Sequence, residues 1–459
     1  MILSTVSADP YLKDASGYSG NADEVFVPST NEELCELVRT CSARQKPLTI
    51  AGAGTGLTGA RVPHGGVVVS LERFRALEIY NGRARCGTGV LLRDLQQAAA
   101  TAKQFFGPNP TENTASIGGI ISTNAGGARS FHYGSVRRHV LALEVAFMDG
   151  RTERYERGDR IDFPVTPVRI PNTTKNSAGY YLHPNVEWVD LLSGSEGTLG
   201  IVTQADLHLL PEPNAVLSGV VFFSGDDHAF DAIEAWRPIP ELRFLEYMDA
   251  YSLEFLRPHY SEIPAEARAA LLIEQNLNSE DDPEIDAWAR RLVERNAFEE
   301  ESWFGFRASD RERFRMFRHT LATMVTDIAR RNGFSKFSTD LAVPISRCRE
   351  LHDYYKQRCQ EVLPGKFTIF GHVGDANNHI NFFPSSPEEA DRVEQLMYEF
   401  AKYVVTLGGT VAAEHGIGKN KTELLKLMYS PTEIEAMKNV KRRLDPDWLL
   451  GRGTIFPVE

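Results

Sequence analysis

The stretch Gly371-His372-Val-Gly374-Asp375-Ala-Asn377-Asn378-His379-Ile-Asn381 carries two histidines seven residues apart, around a turn-prone run of glycine and asparagine. If the chain folds back there, both imidazoles can face one site. Farther on, Ala413-Glu414-His415-Gly416-Ile-Gly418 adds a carboxylate and a third histidine just after Gly408-Gly409. Imidazole and carboxylate together suit a divalent zinc, manganese or iron ion, and three protein ligands leave positions open for a substrate. A histidine satisfied inside a core is the alternative for any one of these residues, and spacing alone does not separate the two.

A second group of residues is suited to holding an anion. The run Gly52-Ala53-Gly54-Thr55-Gly56-Leu57-Thr58-Gly59 follows a strand-like Pro47–Ala51. Pro108-Asn-Pro110-Thr111 leads into Ala115-Ser116-Ile117-Gly118-Gly119 and then Thr123-Asn124-Ala125-Gly126-Gly127. A third stretch is Gly194-Ser195-Glu196-Gly197-Thr198-Leu199-Gly200-Ile201-Val202. Backbone N–H groups converge on an anion where side chains are missing. A single such loop could equally be a tight turn with no ligand. Three of them in one stretch point to a long, phosphate-bearing ligand, with Ser, Thr and Asn serving its hydroxyls and ring edges. The first loop also matches G-x-G-x-x-G, but a dinucleotide fold needs a helix to follow. Here Ala60-Arg-Val-Pro63-His-Gly65-Gly66 intervenes before the next strand, too short and too rich in Pro and Gly for a crossover helix of at least ~10 residues. That excludes the Rossmann reading.

These loops must be positioned by the elements between them. Residues 25–210 read as short apolar strands, among them Val67–Leu71 and Val140–Phe147, the latter closed by the turn Asp149-Gly150. Helices are predicted from Asn31 and over Leu91–Ala102. After Pro211-Glu-Pro213 the pattern shifts, and long helices are expected to dominate to about residue 435, mixed with strand-like runs such as Ala215–Phe223 and Lys366–Phe370. Ser386-Pro387-Glu388-Glu389 offers an N-cap, a proline at the first helical position and a capping-box glutamate, and Gly408-Gly409 offers the stop. Another helix is predicted over about Ala308–Arg331, with Phe314, Phe317, Leu321, Met324, Val325 and Ile328 on one face.

With 459 residues, the chain is too long for one compact core at ~100–200 residues per domain. Fifty basic against 62 acidic residues give a net charge of −12, which disfavours nucleic acid and anionic lipid as partners. Five cysteines without a C-x-x-C pair exclude a disulfide framework or thiolate zinc site and suit a reducing cytoplasm. Met1-Ile-Leu-Ser-Thr-Val lacks the basic region of a secretory signal, and no apolar run approaches the ~20 residues that span a bilayer.

Taken together, Gly52–Gly59 with His64-Gly-Gly-Val-Val, Ser116–Gly134, Lys175–Tyr180 with Ser193–Thr203, Phe370–Asn381 and Gly408–Gly418 resemble, in order and over nearly the whole chain, the flavin-linked oxidoreductases of the vanillyl-alcohol oxidase/PCMH superfamily. The branch concerned contains flavin-dependent D-lactate dehydrogenase, the glycolate oxidase FAD subunit and D-2-hydroxyglutarate dehydrogenase. The resemblance implies an α+β fold: a PCMH-type FAD-binding domain of two α+β subdomains over 1–212, an α+β substrate-capping domain of the FAD-linked oxidase C-terminal type over 213–435, and a segment over 436–459 that returns to the flavin domain. It places FAD against Gly52–Thr58, Pro110, Thr111, Ser116, Gly118, Gly119, Thr123, Asn124, Gly126, Glu196, Gly197 and Ile201. Relatives that tether FAD covalently use a histidine in the first loop; none stands in Gly52–Ala60, so FAD is expected to be noncovalent. The resemblance further implies metal ligands at His372, His379 and Glu414, His415 as general base, and Asn377 retained near the substrate. The chain departs from relatives at Ala376-Asn377-Asn378, without loss of a ligand.

Oxidising a 2-hydroxy acid means losing the hydroxyl proton and moving the α-hydrogen, as hydride, to flavin N5. A chelated metal stabilises the developing alkoxide, and a neutral imidazole can take the proton. The substrate carboxylate wants a fixed cation, for which Arg318 and Lys336 are the candidates; relatives carry an arginine and a lysine in comparable segments, at a different spacing from Asp340–Pro344. The expectation is therefore a metal-assisted, FAD-dependent D-2-hydroxy acid dehydrogenase, D-lactate-like by family, that passes electrons to a quinone, a cytochrome or an electron-transfer flavoprotein. The FAD subunit of a membrane-associated, glycolate oxidase-type complex, a D-2-hydroxyglutarate dehydrogenase, a metallohydrolase and an O₂-using oxidase are the competing readings, and a homodimer is compatible with the leading one.

Overall fold

The computed structural model describes residues 7–458. Near the N-terminus a three-stranded parallel sheet runs in the order Glu24–Phe26, Val67–Ser70, Leu48–Ala51. The helix Asn31–Ala43 covers it, started by Thr30, whose hydroxyl accepts the Glu33 amide. Its Leu34, Leu37, Val38 and Cys41 pack on Leu48, Val67 and Val69. The parallel strands Leu48–Ala51 and Val67–Ser70 are joined through residues 52–66 without a helix. The first glycine loop is therefore a crown on a sheet edge.

A five-stranded antiparallel sheet follows, ordered Leu77–Tyr80, Arg83–Gly87, Ile201–His208, Val140–Ala146, Thr152–Glu156. The predicted turn after Val140–Ala146 is there: Gly150 sits at φ +80, and Asp149 accepts the Arg151 amide at 3.0 Å. The second glycine stretch is not all loop. Ser116 accepts the Gly119 amide at 3.2 Å and caps a short helix, Ile117–Ser122, whose Ile117, Ile120 and Ile121 are buried.

From Ala215 on helices hold more residues than strands, as the sequence predicts, and the strands between them pair into a sheet. Seven antiparallel strands form one sheet, ordered Trp303–Gly305, Ala215–Phe223, Ala269–Leu277, Leu242–Met248, Phe367–His372, Asn377–Phe382, Phe337–Ser338. Both faces are covered, so runs such as Val220–Phe223 and Ala269–Ile273 carry apolar residues at consecutive positions and lose the alternation that reveals a strand. On one face Val220, Phe222, Met248, Leu272 and Phe370 meet Leu253 and the stripe Phe314, Phe317, Leu321 and Val325 of the helix Ala308–Arg331. On the other, Val221, Phe223, Leu245, Leu271 and Ile369 meet Trp236, Trp288, Tyr355 and Phe400. The helix Pro387–Thr406 starts with Ser386 as N-cap, as predicted. Its Glu389, expected to close a capping box on Ser386, reaches one residue further back to the Ser385 amide and pairs with Lys366.

The last segment comes home to the first sheet. The Leu48 amide donates to Leu449 O at 2.7 Å, the Gly451 amide donates to Leu48 O at 2.8 Å, and Leu449 and Leu450 join the core under the helix Asn31–Ala43. No helix among the described residues is long and apolar enough to cross a membrane.

Candidate active site

The two strands Phe367–His372 and Asn377–Phe382 are the fold-back the sequence requires, joined through the tight turn Val373–Asp375 and Ala376 at φ +52. Phe370 pairs with His379 and His372 with Asn377, so both histidines lie on one face of the hairpin. Each ring is tied off at its Nδ1. That of His379 meets Thr339 O at 2.8 Å, and that of His372 contacts the buried Glu246 carboxylate from the neighbouring strand. The Nε2 atoms are left to converge on Glu414, whose Oε2 is 3.2 Å from His372 Nε2 and 3.7 Å from His379 Nε2. All three residues are nearly or fully buried, and one donor atom from each lies within 4.8 Å of the others. Imidazoles fixed at Nδ1 and free at Nε2 are what a metal-binding site asks for, so the donor set fits a divalent ion. Burial and the neighbouring His372 push the His379 imidazole down to about 3, keeping it neutral. Burial alone would raise the Glu414 carboxyl, but His372 and Lys175 outweigh it and hold it well below the usual range.

His415 stacks on His379 with ring centroids 5.7 Å apart. Desolvation lowers its pKa, with Asp340 opposing, so the imidazole is neutral at neutral pH. The chain carrying Glu414 and His415 is strapped down by residues distant in sequence. Asp340 accepts both their amides at 3.0 Å, Ser177 Oγ accepts the Gly416 amide at 3.0 Å, and Glu196 accepts the amides of Ile417 and Gly418 at 2.8 Å each. Burial pushes the Glu196 carboxyl up to about 7 despite these two amides.

A cavity of about 690 Å³ opens from this cluster and runs between the glycine loops. Gly52–Thr58, Pro110, Thr111, Ser116, Gly118, Gly119, Thr123, Gly126, Glu196, Gly197 and Ile201 line it, together with Arg318, Lys336, His372, His379, Glu414 and His415. A Cβ at Gly56 would meet only Asp14, at 3.6 Å, so this cavity-lining glycine leaves room for a ligand, whereas Gly197 is fixed by its φ of +68. The loops around the cavity fit a long flavin nucleotide.

Two expected residues lie elsewhere. Asn124 does not line the cavity: its Oδ1 accepts the Arg137 amide and its Nδ2 donates to Asn176 O, bracing the second loop against its neighbours. Asn377, expected near the substrate, gives its Nδ2 to Leu341 O at 2.9 Å and is likewise outside the lining. Arg318 lines the cavity but is not free, because its guanidinium is paired with Glu246, leaving Nη1 3.4 Å from Thr111 Oγ1. Lys336 faces the cavity with no carboxylate partner among the described residues; crowding by protein, with Arg318 nearby, lowers its ammonium to about 8. Sequence reasoning missed Glu246, one of two buried charges with Arg243 in the strand Leu242–Met248, and gave no role to Asp340 or Lys175. It also passed over Asn381, which is fully buried, lines the cavity and has neither amide atom hydrogen-bonded.

The family model for the C-terminal domain of FAD linked oxidases matches residues 212–455, and an FAD binding domain model matches 22–156. The chain is 30% identical to a D-lactate dehydrogenase of Archaeoglobus fulgidus over 94% of its own length and 90% of that protein's. It is 29% identical to the glycolate oxidase subunit GlcD of Bacillus subtilis (97% and 92%) and 29% identical to a D-2-hydroxyglutarate dehydrogenase of Xanthomonas citri pv. viticola (96% and 90%). Among solved structures, an alkyldihydroxyacetonephosphate synthase superposes with a TM-score of 0.69 over 95% of this chain and 76% of that one, at 15% identity, which shows the shared fold.

Proposed function

Because the chain belongs to the FAD-linked oxidases and is an FAD-dependent oxidoreductase of the D-lactate/glycolate/D-2-hydroxyglutarate dehydrogenase branch, we propose that it oxidises a short D-2-hydroxy monocarboxylate such as D-lactate to the 2-oxo acid, with the help of a divalent ion. The observation that carries this reading is the convergence of two imidazole Nε2 atoms, a carboxylate and a further imidazole in the glycine-lined cavity. His372, His379 and Glu414 would hold the ion, and the three glycine loops the flavin. When bound, the flavin supplies a hydride acceptor and the ion a Lewis acid that lowers the pKa of a hydroxyl at its open position.

The chain's own residues do the rest. Lys336 binds the substrate carboxylate, assisted by Arg318 Nη1. Of the two cations set against the histidine cluster, Lys336 is the one without a carboxylate partner among the described residues, which favours a monocarboxylate over a dicarboxylate. His415 has its Nδ1 toward Asp340, 3.5 Å away, so Nε2 is the atom that takes the hydroxyl proton, and Asp340 stabilises the imidazolium that results. Asn381 offers a buried donor and acceptor toward the same space. Flavin is held without a covalent bond, since no histidine stands among Gly52–Ala60, and acid precipitation is expected to release it into the supernatant. Electrons leave for a quinone, cytochrome or electron-transfer flavoprotein rather than a nicotinamide. Five buried, unbridged cysteines accord with a cytoplasmic setting.

Anaerobic dye reduction across D- and L-lactate, glycolate and D-2-hydroxyglutarate tests the proposal. The expected result is the highest kcat/KM with D-lactate or a similar D-monocarboxylate. Preference for 2-hydroxyglutarate, or no reduction by any hydroxy acid, overturns it.

A further inference from the structure

Lys175 is a fully buried cation that the chemistry above leaves without a task. Its side chain has no exposed surface and does not line the cavity. Its Nζ lies 2.6 Å from Glu414 Oε1 and 3.0 Å from Asp375 Oδ2. Asp375 sits in the tight turn between the two histidine strands, so one ammonium joins the hairpin to the loop that carries Glu414. Gly126 closes the same oxygen from another side: a Cβ there would stand 2.5 Å from Glu414 Oε1. The two oxygens of Glu414 are thus divided. Oε1 is held against Lys175 and Gly126, and Oε2 faces the Nε2 atoms of His372 and His379.

We propose that Lys175 is a positioning residue for the ion site: it occupies one oxygen of Glu414 so that the carboxylate offers the other as a single ligand atom, and it locks that loop to the histidine hairpin. The inference rests on the metal reading given above. Outer partners of metal ligands generally set ligand orientation and are worth about 10–100-fold in metal affinity. Coulomb's law makes the opposite forecast, since removing a cation beside a divalent ion should tighten binding. Variants that leave the net charge beside the ion unchanged therefore isolate positioning from charge.

The test measures Mn2+ affinity of the flavin-loaded protein for the wild type, for Lys175→Met combined with Asp375→Asn, and for Lys175→Arg. The double variant avoids leaving two buried carboxylates unopposed, and Lys175→Arg keeps the charge while displacing its position. Flavin content near wild type reports an intact fold. Both variants are expected to bind Mn2+ about 10–100-fold more weakly, and the visible spectrum of the Co2+-loaded Lys175→Arg protein should differ from wild type as Glu414 reorients. Affinity within threefold of wild type, or tighter, in either well-folded variant overturns the role of Lys175 and leaves the metal reading standing. A wild-type protein that takes up no divalent ion overturns both.

Discussion

Asp340 holds His415 at two points: its Oδ2 accepts the His415 amide at 3.0 Å and lies 3.5 Å from His415 Nδ1. The carboxylate is 1% exposed and also takes Lys421 Nζ at 3.1 Å. Backbone and ring of the proposed base are therefore oriented by one buried anion, the arrangement that sharpens an imidazole for proton abstraction.

Substituting His415→Ala is expected to lower the rate of flavin reduction by ~10²–10⁴-fold while flavin and metal content stay near wild type. Asp340→Asn should cost about 10–100-fold, the worth of a charge-assisted hydrogen bond. Asp340 raises the His415 pKa against the lowering by burial, so its loss lets the neutral imidazole persist to lower pH. The acid limb of the rate profile should move down in that variant, and stopped-flow reduction from pH 5 to 9 measures it. An unmoved limb with an undiminished rate removes Asp340 from the proton path.

Chelation is expected to abolish turnover and leave the flavin spectrum in the protein fraction. The ligand atoms of His372, His379 and Glu414 come from segments other than the glycine loops Gly52–Thr58 and Gly118–Gly119, so the ion can leave with the flavin cradle intact. Dialysis against a chelator, then metal analysis and re-addition of Zn2+, Mn2+ or Fe2+, gives the result. Full activity in protein shown to be metal-free would contradict the assignment.

Arg318 and Lys336 should fail in different ways. Lys336→Met removes a cation that has no carboxylate partner among the described residues, so KM for D-lactate should rise about 10–100-fold with little loss of stability. Arg318→Met leaves Glu246, whose side chain is 1% exposed, without its guanidinium. Breaking a buried pair in this way costs about 3–5 kcal/mol, so that variant should lose thermal stability as well as affinity. Steady-state kinetics beside thermal unfolding separate the two; equal losses of stability would show that Arg318 is not the structural cation.

Much of this site was legible in the sequence for a physical reason. Glycine loops and the His372/His379 and Glu414-His415 pairs are local signals, fixed by residue type and short spacing. The residues that hold them are not. Glu246, Lys175 and Asp340 each act on a partner more than 70 positions away, and only the sheet register and loop packing bring them together. The same holds for the seven-stranded sheet: the strand-like runs at Ala215–Phe223 and Lys366–Phe370 are visible in the sequence, but their order and register are set by pairings between distant segments. Asn377 and Asn381 show the limit at fine scale. Both are buried asparagines of one strand, yet Leu341 O takes the Nδ2 of the first and the second lines the cavity.

Asp249 gives a prediction far from the chemistry. It caps the helix Ala250–Leu256, its Oδ1 accepting the Ser252 amide at 2.8 Å, beside a second cavity of about 590 Å³ that Asp226, Glu254 and Asp353 also line. Burial raises its carboxyl from the ordinary 3.8 to about 7, against the lowering by Ser252. An acid whose folded pKa is raised binds more protons folded than unfolded, so its contribution to stability is complete below pH ~4 and is lost as pH rises toward 7. The full effect is on the order of 4 kcal/mol. Asp249→Asn keeps a capping oxygen of equal quality and removes the titration. Thermal unfolding of the holoenzyme at pH 5 and pH 8 should therefore show a smaller loss of stability with rising pH in the variant than in the wild type. Glu196, raised in the same direction, is present in both proteins and cancels in the comparison. Parallel slopes would mean that Asp249 is ionised in the folded chain at pH 5, and that its hydrogen bonds to Ser252 outweigh its burial.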